Sequence, residues 1–166
     1  MKQPLVSILL PTHNRADVLP FAIESILQQT HQNFELLIVG DGCIDRTSEI
    51  VQPYLSSRIK WFDLPKAPNF GYANRNMALR QANGKYTAYM SHDDLIAPDH
   101  IENAVRLLEK NSALDLILQR SFFVSPAGQI RPVFFNINTK QDLEDYLAKK
   151  RTRYPAPCAV HRTRCF

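Results

Sequence analysis

The stretch YTAYMSHDD, residues 86–94, decides the fold class of this chain. It begins as an apolar run that predicts a buried strand, and two adjacent carboxylates, Asp93 and Asp94, follow at the end of that strand. Such carboxylates are costly unless a cationic side chain, backbone N–H groups or a divalent cation faces them. Ligands of open α/β sheets bind at strand ends. The pair therefore predicts a metal–phosphate site, and the alternative is a carboxylate that only caps the next turn.

Strand and helix patterns alternate around this stretch. Apolar runs predict three strands that are buried on both faces, at 5–10, 34–39 and 85–90. Pro11 is expected to stop the first of them, and an alternating run at 58–62 predicts an edge strand. Helical spacing predicts four helices, at 19–27 with Asp17 as cap, after Asp45, at 72–82 and at 98–108. This order predicts βαβ units, a mostly parallel sheet and an α/β fold class.

The second part of the chain changes pattern. Two further strands are expected at 114–124 and 130–135, and the turn between them predicts an antiparallel hairpin that makes the sheet mixed. An amphipathic helix is expected at 139–149. With 166 residues, 45% of them hydrophobic, the chain is expected to form one structural domain.

Composition limits the partners. No apolar run is long enough for a membrane span and the N-terminus lacks a signal-peptide core, so the expected location is the cytoplasm. A basic cluster predicts either a solvent-facing helix end or contact with an anionic partner, which would be the inner-membrane surface or a polyanionic acceptor; its residues are Lys149, Lys150, Arg151 and Arg153. The pattern of basic and aromatic residues gives no indication of nucleic-acid binding.

Polar residues follow three of the predicted parallel strands, at 11–14, at Asp41-Gly42 and at 92–94. Because the carboxyl ends of parallel strands share one edge of a sheet, these clusters are expected to converge. The chain has neither a Gly-x-Gly-x-x-Gly fingerprint nor a Walker-type loop. A phosphate bound at this edge would therefore be neutralised mainly by metal and side chains.

These motifs together resemble the family-two inverting glycosyltransferases. The resemblance runs from residue 5 to about 102 and rests on VSILLPTHN at 6–14, FELLIVGDG at 34–42, ANRN at 73–76 and SHDD at 91–94. It implies the GT-A fold, a three-layer α/β sandwich with a mostly parallel, mixed central sheet that binds nucleotide-diphospho-sugars. It also implies a donor that is usually a UDP-sugar, and Mn²⁺ or Mg²⁺ as cofactor.

The resemblance implies a role for each matched residue. Asp41 matches the acid that hydrogen-bonds the nucleotide base, and His13 stands where the family often has a stacking tyrosine. Arg75 matches an arginine near the donor phosphates. Asp93 matches the metal ligand of the Asp-x-Asp motif, and Asp94 follows it as an additional candidate. The expected nucleotide-sugar-binding set is Pro11, Thr12, His13, Asn14, Asp41, Arg75, Ser91 and His92.

Two positions depart from the family pattern. Gly40 replaces an acid in the turn after the second strand, and Ser91 replaces the first acid of Asp-x-Asp. A serine hydroxyl brings no charge, so either metal affinity is weakened or His92 contributes.

The resemblance also bears on chain organisation. The general base of the family lies after a segment like PCAVHR, here 157–162, and Phe166 follows soon after. Residues 1–115 are thus expected to form the donor-binding region and 116–166 the start of an incomplete acceptor region. The base is expected beyond Phe166, because the acids of the tail are predicted to be solvated on a helix face: Asp142, Glu144 and Asp145.

Two hypotheses of function remain open at this point. The first is a metal-dependent glycosyltransferase of cell-envelope polysaccharide biosynthesis, which moves a sugar with inversion to a glycan, lipid-linked or protein acceptor. The second is a catalytically incompetent nucleotide-sugar-binding module. A third, a structural domain without a ligand, is disfavoured because Asp41 and Asp93 are intact. Exposed apolar surface on an incomplete domain would favour a homodimer.

Overall fold

The computed structural model describes residues 3–133 and 159–165. The strands in these ranges are β1 (Val6–Thr12), β2 (Phe34–Asp41), β3 (Ile59–Leu64), β4 (Tyr86–Tyr89), β5 (Leu116–Leu118), β6 (Ser121–Val124), β7 (Ile130–Val133) and β8 (Ala159–Arg162). The helices are α1 (Leu19–Leu27), α2 (Thr47–Val51), α3 (Pro68–Leu79) and α4 (His100–Lys110), with short 3₁₀ helices at Gln52–Tyr54 and Thr163–Cys165.

Six of these strands form one sheet in the order β3-β2-β1-β4-β8-β5. The first four are parallel, so that Leu9 of β1 lies opposite Leu37 of β2 and Tyr89 of β4. β8 runs antiparallel to both of its neighbours, β4 and β5. The predicted α/β class with a mostly parallel, mixed sheet is confirmed, and β3 lies at the edge as the alternating pattern predicted.

The antiparallel part of the sheet differs from the prediction. The strand expected at 114–124 divides, since β5 joins the main sheet whereas β6 pairs only with β7. The hairpin therefore exists but does not make the main sheet mixed; β8 does. β8 has four residues, one of them the fully buried Val160, and it includes His161 and Arg162. A strand so short and so polar carries too weak an apolar pattern to be predicted.

Apolar side chains on both faces of the sheet produce three layers. One face carries the larger cluster, in which Ile8 and Ile38 pack with Ile23 of α1 and Leu108 of α4. The other face carries a smaller cluster, in which Leu9, Leu37 and Val39 pack with Ala78 of α3. Both faces of β1 and β2 are thus buried, which explains their nearly continuous apolar sequences.

Three element boundaries correct the prediction. Pro11 does not stop β1: it pairs with Val39, and on its other side β4 has already ended at Tyr89, so its missing N–H leaves no ladder bond unmade. β2 continues through Gly40 to Asp41. Asp17 does not cap α1, whose N-cap is Val18 without a side-chain hydrogen bond. The carboxylate of Asp45 accepts the backbone N–H of Thr47 at 3.0 Å, close to its predicted capping role for α2.

Several predictions fall outside the described residues: the helix at 139–149, the basic cluster at 149–153 and the acids at 142–145. Across 3–133 and 159–165, none of the helices has the combination of length and apolar character that a membrane crossing requires.

Candidate functional site

A cavity of about 230 Å³ opens at the carboxyl edge of the sheet. Residues from all three predicted clusters contribute to its wall: Pro11, Thr12 and His13 at the end of β1, Asp41 at the end of β2, and His92 after β4. The remaining wall residues are Arg15, Val39, Lys66, Phe70, Gly71 and Arg75. A second cavity of about 280 Å³ shares Pro11 and Arg75 with the first. The neighbouring positions of β1, β2 and β4 in the sheet cause this convergence.

Asp41 is the carboxylate at the base of the cavity, and it is only 6% exposed. Lys66 Nζ donates to its Oδ2 at 2.7 Å, while the Ala67 backbone N–H and Asn74 Nδ2 donate to its Oδ1 at 2.9 and 2.7 Å. Burial alone would raise the pKa of Asp41, but these donors outweigh it and hold the pKa below its ordinary value. The carboxylate is therefore ionised and fixed in orientation near neutral pH.

The start of α3 is shaped to approach this carboxylate. Asn69, Phe70 and Gly71 all have left-handed backbone conformations, with φ of 53°, 56° and 72°. A Cβ added to Gly71 would lie 2.7 Å from the Asp41 carboxylate, so glycine is required both by the conformation and by the space. Left-handed backbone at non-glycine residues is uncommon and often marks functional sites. Phe70, 84% exposed, is carried to the cavity wall by this turn.

Three residues that line the cavity each carry a buried polar atom without a hydrogen-bond partner among the described residues, namely Thr12 Oγ1, His13 Nδ1 and Arg75 Nε. Buried polar atoms of native proteins are nearly always paired. One further atom of this kind, Trp61 Nε1, belongs to a ring that packs against Gly40. Unpaired buried polar atoms in the described part of the chain are thus concentrated at this cavity.

The acid turn, residues 91–94, adjoins the cavity through His92 alone. Asp93 has a side chain that is 60% exposed, and its Oδ1 lies 3.9 Å from His92 Nε2. Burial lowers the pKa of His92 despite the nearby charge of Asp93, so the imidazole is neutral near pH 7. Burial raises the pKa of Asp94, against a hydrogen bond from Ser91. Asp94 lines a different groove, of about 350 Å³, beside β6.

The structure therefore brings together six of the predicted nucleotide-binding residues and leaves out two. Asn14 and Ser91 do not line the cavity, and neither do the two candidate metal ligands of the acid turn. Asn14 instead accepts the Ile44 backbone N–H at 2.8 Å and so joins the loops after β1 and β2. Among residues 3–133 and 159–165, no group of three or more His, Cys, Asp or Glu side chains could hold a metal ion by itself.

The departure at Gly40 has a local explanation. A Cβ at this position would lie 2.4 Å from the ring of Trp61 on the neighbouring strand β3. Because the Trp61 ring fills this space, a side chain at position 40 would require the ring to move. The acid that the resemblance leads one to expect at this position would clash with that ring in the observed arrangement.

Comparison with known proteins identifies the family. The family model described as Glycosyl transferase family 2 matches residues 7–165. The chain belongs to glycosyl transferase family 2. An uncharacterized glycosyltransferase of Rickettsia felis is 40% identical over 108 residues, which cover 64% of this chain and 18% of that protein. TuaG of Bacillus subtilis, whose name proposes a role in teichuronic acid biosynthesis, is 33% identical over 112 residues, covering 66% of this chain and 44% of TuaG.

Solved glycosyltransferase structures share the fold. TarS 1-349 of S. aureus, in complex with UDP-GlcNAc, superposes with a TM-score of 0.74 at 21% identity, covering 95% of this chain and 45% of that one. The mannosyltransferase PcManGT of Pyrobaculum calidifontis, in complex with GDP-Man and Mn²⁺, gives a TM-score of 0.66 at 20% identity, covering 97% and 45%. The predicted family and GT-A fold are confirmed. The family-two chain described here spans less than half the length of each of these four proteins.

Sequence reasoning missed several residues of the cavity wall. Arg15 directly follows the first motif in the sequence, and this adjacency could have identified it as a residue of the cavity wall. Lys66 and Phe70 lie in the connection from β3 to α3, and only the folded chain brings them to Asp41. The glycine after Phe70 was the sole sequence hint that this connection turns sharply.

Proposed function

We propose that this chain binds the nucleoside diphosphate part of a UDP-sugar in the cavity at the carboxyl edge of the sheet. As a glycosyltransferase it would move that sugar, with inversion, to a glycan, lipid-linked or protein acceptor. The observation that carries the proposal is the set of unpaired buried atoms in one cavity wall, Thr12 Oγ1, His13 Nδ1 and Arg75 Nε. Such atoms are stabilised only when paired, and a polar ligand around which the wall adjusts would supply the missing partners.

The charge of the wall supports an anionic ligand. Three cationic side chains line the cavity, Arg15, Lys66 and Arg75, and a single carboxylate, Asp41, lies among the wall residues described. Lys66 is paired with Asp41. The two arginines therefore remain available for the diphosphate, which guanidinium groups bind through charge-assisted hydrogen bonds.

The geometry of Asp41 supports recognition of the base. Its Oδ1 accepts two hydrogen bonds and its Oδ2 accepts one, so a lone pair of Oδ2 is open to a further donor such as the imide N–H of uracil. The rings of His13 and Phe70 line the same cavity and offer faces on which a base can stack.

We assign the metal ligand role to Asp93. Mn²⁺ and Mg²⁺ need oxygen donors, and one carboxylate completed by substrate phosphates and waters is a common set, so a cluster of three protein ligands is not required. Asp93 fits this role because it is exposed and beside the cavity residue His92. When bound, the metal would neutralise the charge that develops on the leaving diphosphate.

The two regions of the chain are assigned different parts of the proposed function. Residues 1–115 would bind the donor and residues 116–166 would belong to the acceptor side. Asp41 is the carboxylate among the described residues of the cavity wall, and its hydrogen bonds hold it in place. It is therefore not free to act as a general base. This supports the second candidate, a module that binds the donor without transferring the sugar.

Location and partners are further proposals. The basic cluster Lys149, Lys150, Arg151 and Arg153 would bring a cytoplasmic enzyme to the inner membrane surface. The name of TuaG supports a role in cell-envelope polysaccharide synthesis. The exposed apolar side chains of β6 and β7, Phe122, Phe123, Val124 and Ile130, are the surface on which a homodimer would form.

Calorimetric titration with UDP tests the central proposal. Arg75→Met removes the guanidinium from the cavity wall, and UDP affinity should fall about tenfold. Arg80→Met is the matched control, because Arg80 lies further along the same chain segment and outside this cavity. Equal affinity for UDP in both variants would rule out the assigned site.

A further inference from the structure

Gln29, just after α1, is a buried amide that forms one local hydrogen bond and two long-range ones. It is 1% exposed. Its Nε2 donates to the Ala97 carbonyl at 2.7 Å and to the Ser25 carbonyl at 3.1 Å. Its Oε1 accepts the Ile101 backbone N–H at 3.0 Å. One side chain thus joins the end of α1 to the connection between β4 and α4.

That connection carries the acid turn, and it is attached at both of its ends. At the first end, the Met90 N–H donates to the Leu9 carbonyl at 2.9 Å and so continues the β4–β1 pairing. At the second end, besides the bonds of Gln29, the Thr30 N–H donates to the Pro98 carbonyl at 2.8 Å. Residues 91–96 lie between these two attachments. Within them His92 hydrogen-bonds to the backbone of Pro11 and Ile96 packs in the core, so the second attachment is one of several contacts that determine where the turn lies relative to the cavity.

Gln29 also serves the start of α4. The first N–H groups of a helix lack partners within the helix. Asp99, the N-cap of α4, makes no side-chain capping hydrogen bond. The Oε1 of Gln29 supplies an acceptor for one of these groups, at Ile101. Loss of the amide would therefore weaken the attachment of the connection and of the first turn of α4 together, while the bond from Thr30 to Pro98 remains.

We propose that Gln29 is a positioning residue that holds the acid turn, and with it the carboxylate of Asp93, at the distance from the cavity needed to share a metal ion with a bound diphosphate. This inference rests on the proposed function. It predicts that Gln29 affects the metal-dependent part of nucleotide binding and leaves the part supplied by Asp41 and Arg75 unchanged.

The test uses Gln29→Met, which keeps much of the side-chain volume and removes all three hydrogen bonds. The control is Ser7→Ala, at the amino end of the parallel strands. The buried hydroxyl of Ser7 donates to Glu35 at 2.7 Å and accepts the Gly84 N–H at 2.9 Å. Both variants lose buried hydrogen bonds, but only the first touches the acid turn. Ser25→Ala is a milder second variant, because Ser25 Oγ lies 3.5 Å from the Ile96 N–H.

Two readouts are compared in the full 166-residue chain. The first is amide hydrogen exchange of residues 91–96 in the free protein, which Gln29→Met should accelerate about tenfold, the factor that losing one or two hydrogen bonds predicts. The second is the ratio of the UDP dissociation constants without and with Mn²⁺. That ratio should fall about tenfold, the loss typical when groups that orient metal ligands are removed. The dissociation constant without metal should stay within about twofold.

The outcomes separate the two proposals. A Mn²⁺ ratio that survives in folded Gln29→Met, or that falls equally in Ser7→Ala, overturns the role of Gln29 and leaves the proposed function standing. No Mn²⁺ effect in the unsubstituted chain overturns the metal role of Asp93 and this inference together. If Gln29→Met does not fold, Ser25→Ala decides: a smaller change of both readouts in the same direction supports the proposal, and no change overturns it.

Discussion

The two ends of β2 carry one buried carboxylate each, and their surroundings differ. Glu35 at the start of the strand and Asp41 at its end are both 6% exposed. Glu35 accepts hydrogen bonds from Ser7 Oγ at 2.7 Å and from the Asn83 N–H at 2.6 Å. Lys60 Nζ lies 3.7 Å away from it. No described cavity includes Glu35, and none of the unpaired buried atoms lies beside it.

Asp41 has a comparable number of hydrogen-bond partners, but several polar atoms of its neighbours have none among the described residues. Beside it lie a cavity and the unpaired atoms of Thr12, His13 and Arg75. At the amino end of β2 the carboxylate therefore belongs to a network in which the polar atoms are paired. At its carboxyl end the neighbouring polar atoms are unpaired. Closed networks stabilise the fold, and open ones at a cavity indicate a ligand. The chemistry of a carboxylate alone does not distinguish these roles; the pairing of its neighbours does.

The largest expected difference comes from substituting the two carboxylates. Asp41→Asn should weaken UDP binding by about 1.5–3 kcal/mol, a loss of roughly tenfold to hundredfold, because a charged acceptor for the base is removed. Glu35→Gln should lower the free energy of unfolding by about 1–2 kcal/mol and leave UDP affinity unchanged. Titration calorimetry and chemical denaturation measure the two effects. Equal losses of UDP affinity in the two variants would remove the distinction between the edges.

Asp93→Asn should act on metal-dependent binding alone. Asp93 is exposed and, among residues 3–133 and 159–165, belongs to no hydrogen-bonded network, so its substitution should not alter the free energy of unfolding. The gain in UDP affinity that Mn²⁺ provides should fall by about tenfold, or about 1.4 kcal/mol. The measurement is the titration with and without Mn²⁺. An unfolded Asp93→Asn variant would instead show that the residue is structural.

The loss of stability at acidic pH should depend on both carboxylates, Glu35 and Asp41. The pKa values of Glu35 and Asp41 are lowered in the folded chain from ordinary values of 4.5 and 3.8, against the opposing effect of burial. Each group therefore binds its proton more readily in the unfolded chain, and its contribution is fully present above those values. Stability should fall as pH drops through the lowered pKa values. Thermal unfolding from about pH 7 to about pH 3 should show a shallower loss in Glu35→Gln and in Asp41→Asn; an unchanged slope would contradict the lowered pKa values.

The smallest effects should come from two buried hydroxyls of β1. Thr12→Val removes an unpaired hydroxyl, so the free energy of unfolding should stay equal or rise, while UDP affinity falls by about 0.5–1.5 kcal/mol. Ser7→Ala removes a paired hydroxyl, so stability should fall by about 1 kcal/mol with no change in UDP affinity. A reversed pattern, with Thr12→Val destabilised and its UDP affinity intact, would mean that Thr12 serves the fold.

The sequence predicts the centre of the sheet better than its margin. β1, β2 and β4 are buried on both faces, and their apolar runs show this directly. β8 has no such pattern, because its four residues are held by partners far along the chain in β4 and β5. Asp41 was predicted from its motif. Its partner Lys66 was not, since the contact depends on the left-handed turn that begins α3. Gln29 likewise bonds to residues about seventy positions away, which no local pattern encodes.

One measurement tests the central claim most directly: mapping the backbone amide shifts of the chain by NMR during titration with UDP. We expect the amides of Thr12, His13, Asp41 and Gly71 to shift with a common dissociation constant, while the amides of Ser7, Glu35 and Asn83, at the amino ends of the strands, do not shift. Saturable shifts confined to the Ser7–Glu35 edge, or the absence of shifts at the cavity under saturating UDP, would contradict it.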